Sequence, residues 1–174
     1  MTKPETEWVR GRPLQKTGGT YTHSVVQMRV AMALQRWAED GEHGRVAASW
    51  RFRVAPSNEM IGPLAPDVAF LSYDGLSACA PPQAVQVPLG APTVVVEVLS
   101  DHDLGEDIAD KLVTYRSAGC SAFIIIDPCD ETVVIHDRCG DRVFGRGEMF
   151  RHASLPGFNL DVGQLFDEAN RLGG

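Results

Sequence analysis

The first half of the chain alternates between strand-like and helix-like spacing of its apolar residues. Residues 7–14 predict a short strand or hairpin, and residues 21–38 predict an amphipathic helix that stops at Gly41. The apolar stripe expected on this helix comprises Val26, Val30, Ala33 and Trp37. His23 falls on the same stripe, so it is either a packed, hydrogen-bonded histidine near the helix start or a residue of a functional site.

Two strands and a long loop are predicted next. Residues 45–54 alternate enough to predict one strand, which a turn at 56–58 would close. Residues 66–72 predict a second strand, with its proline at the tolerated first position. Residues 73–92 are rich in Pro, Ala and Gln and predict an irregular segment, a candidate for a mobile loop over a site.

The second half of the chain predicts a strand, helix and strand in succession. Residues 94–99 are apolar except for Glu97, the pattern of a strand buried on both faces. A helix is expected to begin with N-cap oxygens at positions 100–101 and to end before Gly119. Residues 122–128 predict the next strand, which such a crossover makes parallel to the first.

The remaining elements complete the expected fold class. Residues 132–137 and 142–150 predict an antiparallel hairpin, and a short closing helix is expected at 163–170. We therefore expect an α/β (α+β) fold in which helices flank a mixed central sheet, as a single domain over residues 1–174.

Composition narrows the function classes. The net charge of −7, from 16 Lys+Arg and 23 Asp+Glu, argues against a protein that coats nucleic acid by bulk electrostatics, although it permits a local basic patch. The chain has no apolar run of membrane-spanning length and no signal-peptide pattern, so we expect a cytoplasmic protein without membrane contact. The cysteines form no CxxC pair, which favours reduced thiols, and Cys129, His136 and Cys139 match no closed zinc ligand set.

Glu97 is expected to have a cation partner, a metal or a proton kept by a raised pKa, because burying an unpaired charge costs several kcal/mol. On the following helix, Lys111 lies at the centre of an apolar stripe, where it must bury its stem against the sheet. The other residues of this stripe are Leu104, Ile108, Leu112 and Tyr115. The crossover geometry allows Glu97 and Lys111 to meet at the carboxyl end of the strand.

Asp67 begins an apolar strand, a position from which a side chain can point into a cleft. Two carboxylates and a main-chain carbonyl suit Mg²⁺, and a nearby lysine would suit phosphodiester hydrolysis. The same pattern is also expected from a structural salt bridge between Glu97 and Lys111, with Asp67 as a turn residue. Spacing alone leaves both interpretations open.

A family resemblance joins these residues. The segments that carry it include Glu7-Trp8-Val9-Arg10-Gly11, Pro66-Asp67, Glu97-Val98-Leu99-Ser100, Ile126-Asp127-Pro128 and Leu155-Pro156-Gly157-Phe158, together with His23, Asp107, Lys111, Tyr115 and Ala118-Gly119. This combination, which covers nearly the whole chain, resembles the Uma-two family of restriction endonucleases, a domain family of the PD-(D/E)XK nuclease superfamily.

The resemblance implies a restriction-endonuclease-like fold and a set of site residues. Asp67 and Glu97 would be the metal carboxylates, Lys111 the catalytic lysine and Glu7 a fourth, acidic member of the catalytic set. His23, Asp107 and Ser100 would support them. The superfamily places its lysine two residues after the glutamate, where this chain has Leu99, so Lys111 would have to reach across from the helix.

The leading hypothesis is a Mg²⁺- or Mn²⁺-dependent endonuclease that hydrolyses DNA phosphodiester bonds, acting as a homodimer. The first alternative is a catalytically inactive nuclease-fold protein that binds nucleic acid or a protein partner. The second is a structural α/β protein whose buried ion pair fixes strand register. The basic residues that could contact phosphates, or simply form solvated surface, are Arg10, Arg12, Lys16, Arg51 and Arg53.

Overall fold

A computed structural model describes residues 6–9, 12–15, 19–54, 62–101, 103 and 105–167. Its strands are β1 (Thr6–Val9), β2 (Arg12–Gln15), β3 (Gly44–Ala48), β4 (Phe52–Val54), β5 (Gly62–Leu64), β6 (Val68–Ser72), β7 (Val94–Val98), β8 (Ala122–Asp127), β9 (Thr132–Asp137), β10 (Gly140–Phe144), β11 (Met149–His152) and β12 (Leu155–Asp161). Its helices are α1 (Tyr21–Asp40), α2 (Pro82–Gln86), α3 (Gly105–Ser117) and α4 (Val162–Asp167).

The central sheet has six strands in the order β10-β9-β8-β7-β6-β3. β7 and β8 are parallel, and the other neighbouring strands are antiparallel. The sheet is therefore mixed, as the sequence predicts. Three two-stranded sheets accompany it: β1 with β2, β4 with β5, and β11 with β12.

Each face of the central sheet packs on a different core. Because side chains alternate along a strand, Val94, Val96 and Val98 pack with α1 and α4, whereas Val95 faces the layer made by α3, β1 and β4. Glu97 shares the face of Val95, since its carboxylate meets α3. The fold thus places an acidic side chain on the face where the α3 stripe packs.

The predicted first helix is confirmed, but its buried stripe differs from the expected one. The buried residues of α1 are Val26, Val30, Leu34 and Ala38. Ala33 and Trp37 are partly buried at the flank of the same core. The sequence pattern predicted Ala33 and Trp37 in the stripe in place of Leu34 and Ala38, because several small and apolar residues adjoin it.

Residues 45–54 do not form one strand. Ser49 adopts a positive φ of 50° and turns the chain between β3 and β4, while its N–H donates to the Asp67 carbonyl oxygen at 3.1 Å. Arg51 consequently lies outside the strands, and only Arg53 belongs to β4, so the two do not share one face of a continuous strand. Residues 56–58, the predicted closing turn, lie outside the described residues.

The segment 73–92 does not cover the cavity described below. It contains α2 and lies against β3 and β4, because Arg45 donates to the carbonyl oxygens of Leu76 and Ser77 and the Arg53 N–H donates to Pro88. The expectation of a loop over the site is therefore wrong for this segment.

The helix after β7 begins later than predicted, at Gly105. The Asp103 carboxylate accepts hydrogen bonds from the Ser100 N–H at 2.7 Å and from its hydroxyl at 2.9 Å, so Ser100 is bound to Asp103 and does not cap the helix. Gly119 follows the helix with φ 94°, as expected of a C-terminal stop.

The carboxyl-terminal part differs from the prediction in one strand. The hairpin of β9 and β10 is confirmed, but the run at 142–150 is divided at Phe144, and β11 pairs with β12 instead. The closing helix is present as α4, and its predicted extension beyond 167 lies outside the described residues. Within the described part of the chain, no helix has the length and apolarity needed to cross a bilayer.

We expect Gly44→Ala to lower the free energy of unfolding by about 1–3 kcal/mol. A Cβ at Gly44 would overlap the Leu71 carbonyl oxygen and stand 2.7 Å from the Ser72 Cα, both backbone atoms of β6 that cannot yield easily. Gly145→Ala is the matched control, because its Cβ would meet only an ordinary contact with Glu148 at 3.7 Å. Equal chemical-denaturation curves for the two variants would contradict the close β3–β6 approach.

Candidate active site

A cavity of about 120 Å³ opens where the β1–β2 hairpin, the end of β7, the start of α1 and the inner face of α3 meet. Its lining is strongly polar and includes every residue that the sequence singled out for chemistry. These residues are Glu7, His23, Asp67, Glu97, Ser100, Asp107 and Lys111. The cavity is several times larger than the roughly 30 Å³ that a water molecule occupies in the liquid.

Lys111 is the central cation of this cavity. Its side chain comes from the buried face of α3, and its Nζ lies 2.7 Å from Glu7 Oε2 and 3.3 Å from Glu97 Oε1. Burial alone would lower the pKa of Lys111, but the charges of Glu97 and Glu7 outweigh it and raise that pKa above its ordinary value. The ammonium therefore stays protonated although only 7% of the residue is exposed.

Glu7 is fixed from two sides. It is 1% exposed, and its Oε1 accepts a hydrogen bond from the Ala65 N–H at 2.8 Å while Oε2 faces Lys111. The first contact ties β1 to the chain segment just before Asp67. The hairpin is thereby held over α3, and a carboxylate distant in sequence is brought to the lysine.

Asp67 is oriented by the backbone of the neighbouring strand. Its Oδ2 accepts a hydrogen bond from the Val98 N–H at 2.8 Å and lies 3.3 Å from His23 Nε2. The Gln27 amide of α1 donates to the Asp67 carbonyl oxygen at 2.8 Å. These contacts join the start of β6 to the end of β7 and to the first turns of α1.

His23 satisfies both of its predicted descriptions in part. It is half-buried near the start of α1. Its backbone N–H donates to the Thr20 hydroxyl at 3.3 Å, and its ring contacts Asp67 at the cavity wall. The histidine is therefore hydrogen-bonded and also belongs to the lining of the site.

The two remaining supporting residues have different surroundings. Ser100 lines the cavity but is bound to Asp103, as described above. Asp107 lies at the cavity wall on α3, 3.6 Å from Arg12 Nη2, and Arg12 also contacts Asp110 at 2.7 Å. These salt bridges attach β2 to α3 beside the cavity.

The sequence interpretation missed Gln27, Asp103 and the anchoring role of Arg12. Gln27 follows His23 by four residues, a spacing that places both on one helix face. Asp103 follows Ser100 by three, a spacing typical of a side-chain-capped turn. The Arg12 contact spans 98 residues, and no local pattern signals it.

The residues of the cavity fit a hard divalent cation. Asp67 and Glu97 offer carboxylate oxygens from adjacent strands, and such ions use one or two carboxylates while keeping several waters. Across the described ranges no cluster of three His, Cys, Asp or Glu side chains forms a ready-made metal cage, and His136 instead contacts Asp141 at 2.7 Å. The donor set thus favours a hydrated, oxygen-bound ion over a closed zinc centre.

We expect Lys111→Met to lower the free energy of unfolding by about 3–5 kcal/mol, because it leaves two buried carboxylates without their cation. Glu97→Gln should leave stability nearly unchanged or raise it, since Lys111 keeps Glu7 and one source of repulsion with Asp67 is removed. Chemical denaturation in chelator measures both.

Arg12→Met is the matched control, because its half-exposed pair with α3 is screened by water and should contribute little to stability. If Lys111→Met and Glu97→Gln lose the same stability, the cluster behaves as a structural ion pair.

Comparisons with known proteins bear on the family and the fold of the chain. The Uma2 family model, described as "Putative restriction endonuclease", matches residues 1–163. A solved structure described as that of a putative nuclease belonging to DUF820 from Anabaena variabilis ATCC 29413 is similar with a TM-score of 0.84 and 17% identity, over 97% of this chain and 93% of that chain. No curated protein matches the chain. The structural likeness shows a shared fold, and the extent of the family match shows that the chain belongs to the Uma2 family of putative restriction endonucleases.

Proposed function

We propose that this protein is a divalent-metal-dependent endonuclease that hydrolyses phosphodiester bonds of DNA. The observation that carries the proposal is the meeting of Asp67, Glu97 and Lys111 in one cavity, although they come from three separate elements. Two carboxylates and an ammonium are the groups that phosphodiester hydrolysis uses.

Asp67 and Glu97 are the residues that would hold Mg²⁺ or Mn²⁺. When bound, such an ion polarises the phosphodiester and lowers the pKa of a water ligand. The chain contributes orientation: the Val98 N–H fixes the Asp67 carboxylate, and the sheet fixes Glu97 on the α3 face.

Lys111 supplies the positive charge nearest the reacting phosphate. A buried ammonium interacts more strongly with a developing negative charge than an exposed one, because little water screens it. Glu7 keeps this ammonium protonated and aimed along the inner face of α3. Glu7 therefore acts through Lys111 in this proposal.

DNA would contact the exposed edge of the site. Arg12 is half-exposed beside the cavity, and Arg51 and Arg53 are exposed, so solvent-facing basic groups lie where a phosphate backbone could reach them. Arg10 and Lys16, the other basic candidates, lie outside the described residues. A homodimer would present two such sites, one for each DNA strand.

A nuclease-fold binding module without catalysis is the second candidate. The observation that favours it is Leu99 at the position where the superfamily has its lysine, together with a Lys111 that is already paired with two carboxylates. A protein of this kind would bind DNA or a protein partner and leave phosphodiester bonds intact.

We expect Mg²⁺- or Mn²⁺-dependent cleavage of supercoiled or single-stranded DNA, and at least about a hundredfold loss of it in Asp67→Ala, the scale on which single electrostatic groups act in active sites. Asp74→Ala is the control, because Asp74 lies in an exposed turn away from the cavity lining. DNA binding without cleavage by the unmodified protein would instead identify the binding module.

Metal binding is expected to depend on both carboxylates. Isothermal titration calorimetry with Mn²⁺ should give a binding isotherm for the unmodified protein and for Asp74→Ala, and a loss of binding for the double variant Asp67→Ala, Glu97→Ala. Retained binding in the double variant would place the ion elsewhere in the protein.

A further inference from the structure

The hydroxyl of Tyr115 is buried without an evident role in packing. Tyr115 is fully buried on α3, one turn after Lys111 and on the same face. Among the residues that the structure describes, its hydroxyl has no hydrogen-bond partner. A buried hydroxyl without a hydrogen-bond partner lowers the free energy of unfolding, so its presence indicates a role other than packing.

The aromatic ring alone accounts for the packing. It lies in the core between α3 and the sheet, with its centroid 5.9 Å from that of Phe123. The backbone carbonyl of Tyr115 accepts from the Cys120 N–H at 3.0 Å, a contact that any residue would make. A phenylalanine would therefore fill the same space and avoid the desolvated oxygen.

The electrostatic surroundings of the hydroxyl include the carboxylates of the cavity. Burial raises the pKa of Tyr115 well above its ordinary value, and the charges of Glu97 and Glu7 raise it further. The hydroxyl thus remains protonated in the presence of two carboxylates. It is a neutral donor, one helical turn from Lys111, on which the charges of Glu97 and Glu7 act.

Those carboxylates depend on Lys111 for their charge balance. Glu7 Oε2 faces the ammonium at 2.7 Å, and its other oxygen is already bound to the Ala65 N–H. If Lys111 directs its ammonium to a substrate phosphate, Glu7 Oε2 and Glu97 Oε1 lose their shared donor.

We propose that the Tyr115 hydroxyl is the reserve donor of this cluster, which hydrogen-bonds to Glu7 or Glu97 when Lys111 turns toward the phosphate. Tyr115 is then a positioning residue: it lowers the energy needed to release the lysine and does not touch the substrate. The substrate part of this inference rests on the proposed nuclease function.

A double-mutant cycle tests the reserve donor without any activity. Chemical-denaturation midpoints are measured in chelator for the unmodified protein, Tyr115→Phe, Lys111→Met and the double variant. Tyr115→Phe should leave the midpoint of the unmodified protein unchanged or raise it, and should lower the midpoint in the Lys111→Met background, where the carboxylates have lost their ammonium. An equal effect in both backgrounds overturns the proposal.

If Lys111→Met does not fold, Lys111→Gln replaces it in the cycle. The glutamine amide still donates one hydrogen bond. Tyr115→Phe should therefore lower the denaturation midpoint in the Lys111→Gln background, but by less than in the Lys111→Met background. The absence of coupling in that cycle would likewise overturn the proposal.

Cleavage kinetics test the substrate part. Tyr115→Phe should lower kcat about 10–100-fold, the range typical for residues that orient active-site groups, with little change in KM. Tyr73→Phe is the control, because Tyr73 lies under the Arg45 guanidinium and outside the cavity lining. An unchanged kcat in Tyr115→Phe overturns this inference alone. If the unmodified protein cleaves nothing, the proposed function fails, and the stability cycle decides the role of Tyr115.

Discussion

The ammonium of Lys111, buried between Glu7 and Glu97, is the interaction on which the arrangement of the site depends. It joins α3 to β1 and to β7 through contacts of 2.7 and 3.3 Å. Moving three charged groups out of water is costly, and their attraction offsets that cost only when geometry and hydrogen bonding are good. Without the lysine, two buried carboxylates would lose the cation that they share. The position of the amino-terminal hairpin therefore follows from a charge in the middle of the chain.

The contacts of Asp67 complement this ion cluster through backbone groups and the His23 ring. Most of these contacts involve backbone groups. The Val98 N–H donates to the Asp67 carboxylate, and the Asp67 carbonyl oxygen accepts from the Gln27 side-chain amide and from the Ser49 N–H. A carboxylate held by the backbone keeps its orientation whatever the charge state of its neighbours. The cavity thus combines one rigid acid with one acid whose partner is a flexible lysine side chain.

How far the site can be read from the sequence depends on how local its determinants are. Glu97 in an apolar strand and Lys111 in an apolar stripe signal each other, because they are 14 residues apart and a single crossover joins them. The contact of Glu7 with Lys111 has no such signal, since the hairpin that carries Glu7 lies outside the central sheet. The family resemblance indicated only that Glu7 belongs to the site. The break at Ser49 was missed because an alternating pattern does not reveal a positive φ.

Lys111 lies on a helix, whereas the superfamily pattern has its lysine on the strand that carries the glutamate. This difference affects the charges that line the cavity. A lysine at position 99 would stand two residues after Glu97, but this chain has Leu99, whose N–H donates to the Ile126 carbonyl oxygen at 2.8 Å. Lys111 reaches the same region from α3. Its ammonium lies beside Glu7, and that carboxylate is one of its ion-pair partners. Among the described residues of the cavity lining, the carboxylates of Glu7, Asp67, Glu97, Asp103 and Asp107 outnumber the ammonium of Lys111. Such an acidic lining suits a divalent cation. Under the proposed function, this lining favours a metal at Asp67 and Glu97, because the ammonium of Lys111 is already shared with Glu7.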